Sequence, residues 1–339
     1  MRARVGLLED VTAGSQNCLT ELTESLKKGI ATMSHLLVIG SINLDLVLEA
    51  QQLPNPGETV LGGMFSQVNG GKGANQAVAA ARGGDSDVVF IAAVGNDDFG
   101  RQVLQAYEEE ARLSTKLIQT KSGVSTGVAA ILVDQQAENM ICVAPGANAQ
   151  LTSEDVERLD DVWFDDAQVL LASMEVPLAS IEQAVIRAKQ RGAMVVVNPA
   201  PVVAQLAEQM FLTQVDILTP NEHEASQLSG VRVEDVESAR VAAAEIRDKY
   251  SIPVVIVTLG ADGVVVDSPD SSLHVQALRV DAVDTTAAGD CFNGVLATQL
   301  AAGVPLQQAV SLAVKAASIS VTRRGAQTSL PQRNEFNKL

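Results

Sequence analysis

From residue 36 onward, short apolar runs alternate with longer stretches that carry a helical repeat. LLVIGSI (36–42), DVVFIAAVG (87–95), AQVLLAS (167–173), AMVVVN (193–198), VDILTP (215–220) and IPVVIVTLG (252–260) are nearly continuous in apolar, β-rich residues. A strand covered on both faces has no polar side to show, so these runs predict a parallel sheet flanked by helices. Helices are predicted over 73–84, 97–112, 288–302 and 305–322, the first ending in a glycine stop at Gly83-Gly84. The predicted fold class is α/β.

Two regions break the rhythm. TVLGGMFSQVN (59–69) alternates loosely and carries glycines, and STGVAAILVDQQAENMICVAPG (125–146) reads as two strands around the polar turn DQQAEN. Strands inserted without crossover helices predict one of two things. They form a small separate sheet, a lid over the ligand crevice, or a hairpin on the edge of the main sheet. The pattern does not choose between them. Residues 1–33 also stand apart: they mix acids and bases and lack the apolar core of a signal peptide. They read as a disordered or peripheral N-terminal extension, with the folded domain starting near residue 34.

Composition narrows the function. With 24 Lys and Arg against 41 Asp and Glu, the net charge is -17. Phosphate backbones need clustered cations, so no nucleic-acid partner is expected. No apolar run approaches the ~18 residues of a membrane span, so no membrane partner is expected either. Cys18, Cys142 and Cys291 form no CxxC pair, which suits a reduced, cytoplasmic setting. The three His are too dispersed for a zinc site.

Candidate chemistry gathers at strand ends, where ligands of open α/β sheets sit. GSINLD (40–45) places Asn43 and Asp45 two apart, so in extended chain both point the same way and can grip vicinal hydroxyls. An Asx turn is the plainer reading. NGGKGAN (69–75) carries Gly71, Lys72, Gly73 and Asn75 but lacks the phosphate-loop spacing. Its N–H groups, ammonium and amide would suit a polyhydroxy ligand, and a tight strand-to-helix turn is the plainer reading. SMEVP puts Glu175 after another strand. TPNEHE sets Asn221 and Glu224 three apart at a helix start, suited to water-mediated Mg²⁺ and phosphate contacts or simply to capping.

The most informative stretch is AVDTTAAGDCFNG (282–294). Ala287, Ala288 and Gly289 leave the backbone N–H groups of 287–290 open to an anion at the positive end of a helix. A carboxylate, Asp290, then stands beside an anion site. Phosphoryl transfer reconciles the two: the carboxylate takes a proton from the attacking hydroxyl while the N–H groups stabilise the transferred group. The alternative is a cap on a buried helix.

Taken together, the segments resemble the ribokinase family of carbohydrate kinases (the PfkB group) over about residues 34–335. The two family signatures are matched by GGKGANQAVAAARGG (70–84) and DTTAAGDCFNG (284–294). GSINLD, SMEVP, TPNEHE, TLGADG and VTRRGAQTS look closer to members that phosphorylate ribose than to fructose or adenosine kinases. The resemblance implies a Rossmann-like, predominantly parallel sheet with a small β lid from about 46–69 and 125–146, shared between subunits of a homodimer. It implies ATP-dependent phosphorylation of D-ribose at its 5-hydroxyl. A related sugar or nucleoside kinase, or a non-catalytic sugar-binding protein, is the alternative. Asp290 would be the general base, with Ala287, Ala288 and Gly289 as anion hole. Asn43, Asp45, Gly71, Lys72, Gly73, Asn75 and Glu175 would line the sugar pocket. Asn221, Glu224, Thr258, Leu259, Gly260, Ala261, Asp262, Gly263 and Gly289 would lie along ATP and its Mg²⁺. A K⁺ ion would be held near the anion hole by Asp284, Thr286, Ser320, Arg323, Gly325 and Ser329, several of them through backbone carbonyls. Val314 stands where some members put a polar residue against the base. With 3% aromatic residues, the adenine pocket is expected to be aliphatic.

Overall fold

The computed structural model describes residues 35–338, except 137, 203–205 and 207–209. The extension predicted over 1–33 lies outside the described residues. In chain order the strands are β1 (His35–Ile39), β2 (Asn43–Glu49), β3 (Met64–Gly70), β4 (Asp87–Gly95), β5 (Leu113–Ser114), β6 (Ile118–Lys121) and β7 (Gly127–Val133). They continue as β8 (Asn139–Ala144), β9 (Ala167–Ser173), β10 (Met194–Asn198), β11 (Ile217–Leu218), β12 (Val254–Thr258), β13 (Val264–Ser268) and β14 (Ser271–Val275). The longer helices among the described residues are α1 (Lys72–Gly83), α2 (Asp98–Glu108), α3 (Leu178–Gln190), α4 (Glu222–Ser229), α5 (Val236–Tyr250), α6 (Ala288–Ala301) and α7 (Leu306–Ser320).

The main sheet runs β14-β13-β12-β11-β10-β9-β1-β4-β5, with β6 also on β4. It is parallel from β12 to β5, and β13 and β14 extend it antiparallel. Its central strands β1, β4, β9 and β10 bury both faces along most of their length, as their continuous apolar runs require, whereas β14 at the edge is largely open. Along β1, Leu37 and Ile39 pack with α3 and α5 on one face, while Leu36 and Val38 pack with α1, α6 and α7 on the other.

The second sheet has the order β3-β2-β7-β8. The region 125–146 is therefore part of a separate sheet, not an edge hairpin. β2 lies parallel to β7 and antiparallel to β3, and β7 and β8 form the hairpin around 134–138. Several predicted boundaries move: the run 215–220 shortens to Ile217–Leu218, 252–260 to Val254–Thr258 and 97–112 to Asp98–Glu108, and two further shifts reshape the second sheet. The first strand ends at Ile39, and Asn43 already opens β2 of the second sheet. The side chain of Asn148 causes this break: its Oδ1 accepts from Ile42 N–H and its Nδ2 donates to Ile42 C=O, both at 2.9 Å. Those backbone groups are thereby withdrawn from the main-sheet ladder. Residues 59–63 lie outside any strand, and β3 begins at Met64.

The helix layer beneath the site is unusually close-packed. A Cβ on Gly294 of α6 would lie 2.3 Å from the Gln76 carbonyl oxygen of α1. One on Gly84 would lie 2.2 Å from Thr298 Oγ1. Gly84 has an extended backbone rather than a left-handed one. It is there for helix contact, not as the conformational stop expected from sequence.

Candidate active site

Asp290 lies in the first turn of α6, facing the ends of the parallel strands. The turn before it is formed by Ala287, which adopts the left-handed conformation with φ 60° and ψ 14°. That conformation costs an L-residue roughly 1–2 kcal/mol. No side chain caps this helix start. The Ala288 N–H bonds the Thr285 carbonyl at 3.2 Å. Among the described residues, the N–H groups of Ala287, Gly289 and Asp290 have no acceptor. The expected four open donors are thus three, because the turn uses the fourth. Three free donors at the positive end of a helix still form an anion site. Nothing lies within 4 Å of where a Gly289 Cβ would stand, so a ligand can approach this backbone closely.

The Asp290 carboxylate is buried and held on both oxygens. Asn75 Nδ2 donates to Oδ2 and Gln76 Nε2 to Oδ1, each at 3.0 Å. Burial pushes the carboxyl above its ordinary range, while Lys72 and the two amides pull it back and Glu175 pushes it up again. Burial pulls the Lys72 ammonium down, but the charges of Asp290, Glu175 and Glu224 outweigh it and hold the group above its ordinary value. Lys72 and the carboxylates thus form one coupled charge cluster.

The glycine loop sets this cluster against the strand ends. Gly71 has φ 90°, and a Cβ there would lie 2.7 Å from the Asn43 amide nitrogen. Only glycine lets the loop pass so near β2. Glu175 Oε2 accepts from Ser41 Oγ at 2.5 Å and from Lys72 N–H at 3.1 Å, tying the loop to β1 and β9. Gly73 sits against Gly40, its Cβ position 2.6 Å from the Gly40 Cα. Asn43 and Asp45 share a side of β2. Asn43 Oδ1 accepts from Asn148 Nδ2 at 2.8 Å. Burial, then the charges of Glu175 and Asp290, push the Asp45 carboxyl up to about 6.

On the other side of Gly289 opens a cavity of about 510 Å³. Its walls include Thr258, Gly260, Ala261, Asp262 and Gly263 from the β12–β13 turn, Ala288, Gly289 and Phe292 from α6, and Val314 and Ala317 from α7. A further wall is the segment 276–280, which the sequence reading did not single out. Phe292 is the aromatic side chain of this lining, and Thr258, Asp262, Gln276, Arg279, Thr285 and Ser318 stand among its aliphatic residues. Leu259 does not line the cavity: its side chain is buried in the core. Asn221 and Glu224 form a capping box at the start of α4, with bonds of 2.8 and 2.9 Å. This is the plain alternative foreseen for the pair. Glu224 nevertheless faces the site: burial raises its pKa, the Asn221 N–H and Lys72 oppose this, and Asp290 adds to it.

Of the expected cation ligands, Asp284, Thr286 and Gly325 are joined by hydrogen bonds. Asp284 Oδ1 accepts from Thr286 N–H and hydroxyl at 2.9 and 2.7 Å, and Oδ2 accepts from Gly325 N–H at 2.8 Å. Burial opposes its charge, but these donors and Arg324 hold the carboxyl below the usual range. The hydroxyls of Ser320 and Ser329 instead donate to Ala317 and Ala326 carbonyls. The Arg323 guanidinium pairs with Glu335.

Residues 33–333 match the pfkB family carbohydrate kinase pattern. The chain belongs to the pfkB family. Its relatives in this family include a ribokinase of Haemophilus influenzae, 44% identical over 88% of this chain and 96% of the relative. The solved ribokinase of Thermotoga maritima superposes with TM-score 0.81 at 35% identity, covering 90% of this chain and 98% of that one. An Arabidopsis thaliana ribokinase, solved in complex with ribose and ATP, gives TM-score 0.80 at 27% identity, covering 90% and 98%. As a pfkB family member the chain is a kinase. The family signatures sit where the geometry is tightest, in the Gly71 loop and the start of α6. Sequence reasoning missed Gln76, which holds Asp290, and Asn148, which breaks the first strand. It also missed Gln327, whose Nε2 meets Asn75 Oδ1 at 3.3 Å and Tyr107 Oη at 3.1 Å. All three are neutral amides whose partners are remote in sequence.

Proposed function

We propose that the chain transfers the γ-phosphoryl group of ATP to the 5-hydroxyl of D-ribose, giving ribose 5-phosphate and ADP. The observation that carries this reading is the position of Asp290. Its buried carboxylate stands between the polar cluster of Asp45, Lys72 and Glu175 and the apolar cavity, beside three unpartnered N–H groups. Asn43, Asp45, Lys72 and Glu175 hold the sugar; the cavity takes the nucleotide, with its phosphates running toward Gly289. Asp290 accepts the proton of the 5-hydroxyl as that oxygen bonds phosphorus. The bond to the ADP oxygen breaks, and the N–H groups of 287–290 that face the phosphoryl oxygens stabilise their charge. Asn75 belongs with the base rather than only with the sugar, since its amide is committed to Asp290. Mg²⁺, when bound with the nucleotide, would neutralise phosphate charge; Glu224, which is coupled by charge to Lys72 and Asp290, would hold it through water. The family-type K⁺ site fits Asp284, Thr286 and Gly325, and the remaining contacts would be backbone carbonyls. The second sheet acts as a lid that excludes water from the transfer.

Release of ADP should be followed with D-ribose, deoxyribose, fructose and adenosine as acceptors. Ribose should give the highest kcat/KM. A better acceptor among the other three would assign the related kinase instead, and sugar binding without ADP release would assign a non-catalytic protein. Asp290→Asn should keep sugar affinity and lose ~10²–10⁴-fold in kcat. Near-normal turnover in that variant would remove Asp290 from the role of base.

A further inference from the structure

A closed ring of buried hydrogen bonds runs behind Asp290. Gln76 Nε2 donates both to Asp290 Oδ1 and to Asn198 Oδ1, each at 3.0 Å. Asn198, at the end of β10, donates from Nδ2 to the Thr219 carbonyl at 2.9 Å. Thr219, just beyond β11, donates its hydroxyl to Asn293 Oδ1 at 2.6 Å. Asn293 Nδ2 donates to the Gly289 carbonyl at 2.8 Å. Gly289 is bonded covalently to Asp290, which closes the ring. Gln76, Asn198, Thr219 and Asn293 are all buried, and none of them lines the cavity.

The direction of every bond in the ring is forced. A backbone carbonyl can only accept. Asn198 therefore presents Nδ2 to Thr219, and so must present Oδ1 to Gln76. Gln76 must answer with its NH₂, and the same NH₂ reaches the carboxylate. Asn293 presents Nδ2 to Gly289, and so offers Oδ1 to the Thr219 hydroxyl. No amide can flip without leaving buried groups unpaired. Gln76 Oε1 itself has no partner among the described residues. A methionine of similar length would remove that orphan but leave Asn198 Oδ1 and the Asp290 carboxylate each without this donor.

We propose that Gln76, Asn198, Thr219 and Asn293 are positioning residues that align the Asp290 carboxylate and the Gly289 turn as one unit. The proposal rests on the reading of Asp290 as the base. The Gln76 side of the ring aims the carboxylate, and the Asn293 side fixes the anion-hole turn. Ligand contact is left to the residues in front.

The test is a set of steady-state pH–rate profiles with ATP and ribose. The charged groups facing Asp290 are Lys72 of α1, Glu175 beyond β9, Glu224 of α4 and Asp45 of β2. All of them stay in place in each variant. Gln76→Met should lower kcat about tenfold and move the acid limb up by about one pH unit, because one donor to the ionised carboxylate is lost. The ribose KM should hold within about twofold. Thr219→Val should lower kcat about tenfold with the acid limb unmoved, since its hydroxyl does not touch the carboxylate. Thr219→Ser should restore it. Wild-type kcat in Thr219→Val, or an unmoved acid limb in folded Gln76→Met, overturns the proposal. If Gln76→Met fails to fold, the Val and Ser variants at Thr219 decide alone. Asp290→Asn separates the two readings. Its near-normal turnover defeats the base assignment itself, whereas its inactivity beside unaffected ring variants defeats only the ring.

Discussion

At the residue scale, Asp45 joins burial to a function that depends on charge. Its carboxyl is pushed up to about 6, first by burial and then by Glu175 and Asp290. Its folded value lies above the ordinary 3.8. Any stability this group contributes is therefore greatest at low pH and is lost as pH rises through about 6. Ribose affinity should run the opposite way. A carboxylate that accepts sugar hydroxyls must be ionised, so affinity should weaken up to about tenfold for each pH unit below 6. Calorimetric titration on both sides of that value checks this. Asp45→Asn should bind ribose more weakly at neutral pH and lose most of the dependence. An affinity that is constant with pH in the unaltered protein would take Asp45 out of the pocket. A second residue shows how little local sequence says about such roles. Asn75 has the composition of a sugar ligand, yet its amide is committed to Asp290 and Gln327.

At the scale of elements, the α1–α6 contact decides whether the site exists. α1 brings Lys72, Asn75 and Gln76, and α6 brings Asp290. They can meet only because glycine lets the two backbones approach. Gly294→Ala would place a methyl 2.3 Å from the Gln76 carbonyl. Helix backbone cannot give way as a flexible side chain would, so the variant should lose ~1–3 kcal/mol of stability. It should also lose turnover out of proportion, since the strain falls beside the base. Urea melts and kcat measured together test this. Unchanged stability would mean that the helices separate freely. The glycines were visible in the sequence, but their purpose was not. Gly84 looked like a helix stop and proves to be a contact with Thr298. The antiparallel pair β13–β14 was likewise not predicted. Its strands join through a tight turn with no crossover helix, so the alternating rhythm that announced the parallel strands is missing there.

At the scale of the whole molecule, the second sheet exposes large apolar side chains on its outer strands. Met64 and Phe65 of β3 are 68% and 59% exposed, and Met140, Ile141 and Val143 of β8 are also open. Apolar surface of this kind marks an association site, and we propose that a second copy of the chain covers it. Light scattering should give the mass of two chains, and Phe65→Asp should shift the protein toward one. A wild-type mass of one chain at micromolar concentration would overturn the dimer. A monovalent cation would act through the same global assembly, since Asp284 ties the turn before Asp290 to Gly325 near the C-terminal end. K⁺ should raise kcat above Na⁺ at matched ionic strength by ordering that turn. Equal rates in the two salts would remove the site. None of the helices among the described residues is long and apolar enough to cross a membrane.

What could be read in advance was whatever local physics controls. β4 and β9 occupy the residues their apolar runs predicted, because a doubly covered strand must be apolar throughout. The α6 start and its carboxylate were legible because helix ends expose N–H groups wherever they occur. Asn43 was expected at the carboxyl end of the first strand, but it opens β2 of the second sheet, where Asn148, more than a hundred residues away, bonds it. The ring behind Asp290 was invisible for the same reason. Gln76, Asn198, Thr219 and Asn293 are neutral polar residues whose meaning lies in partners up to 214 residues distant. A buried amide takes its role from the direction of its hydrogen bonds, and only the tertiary structure sets that direction.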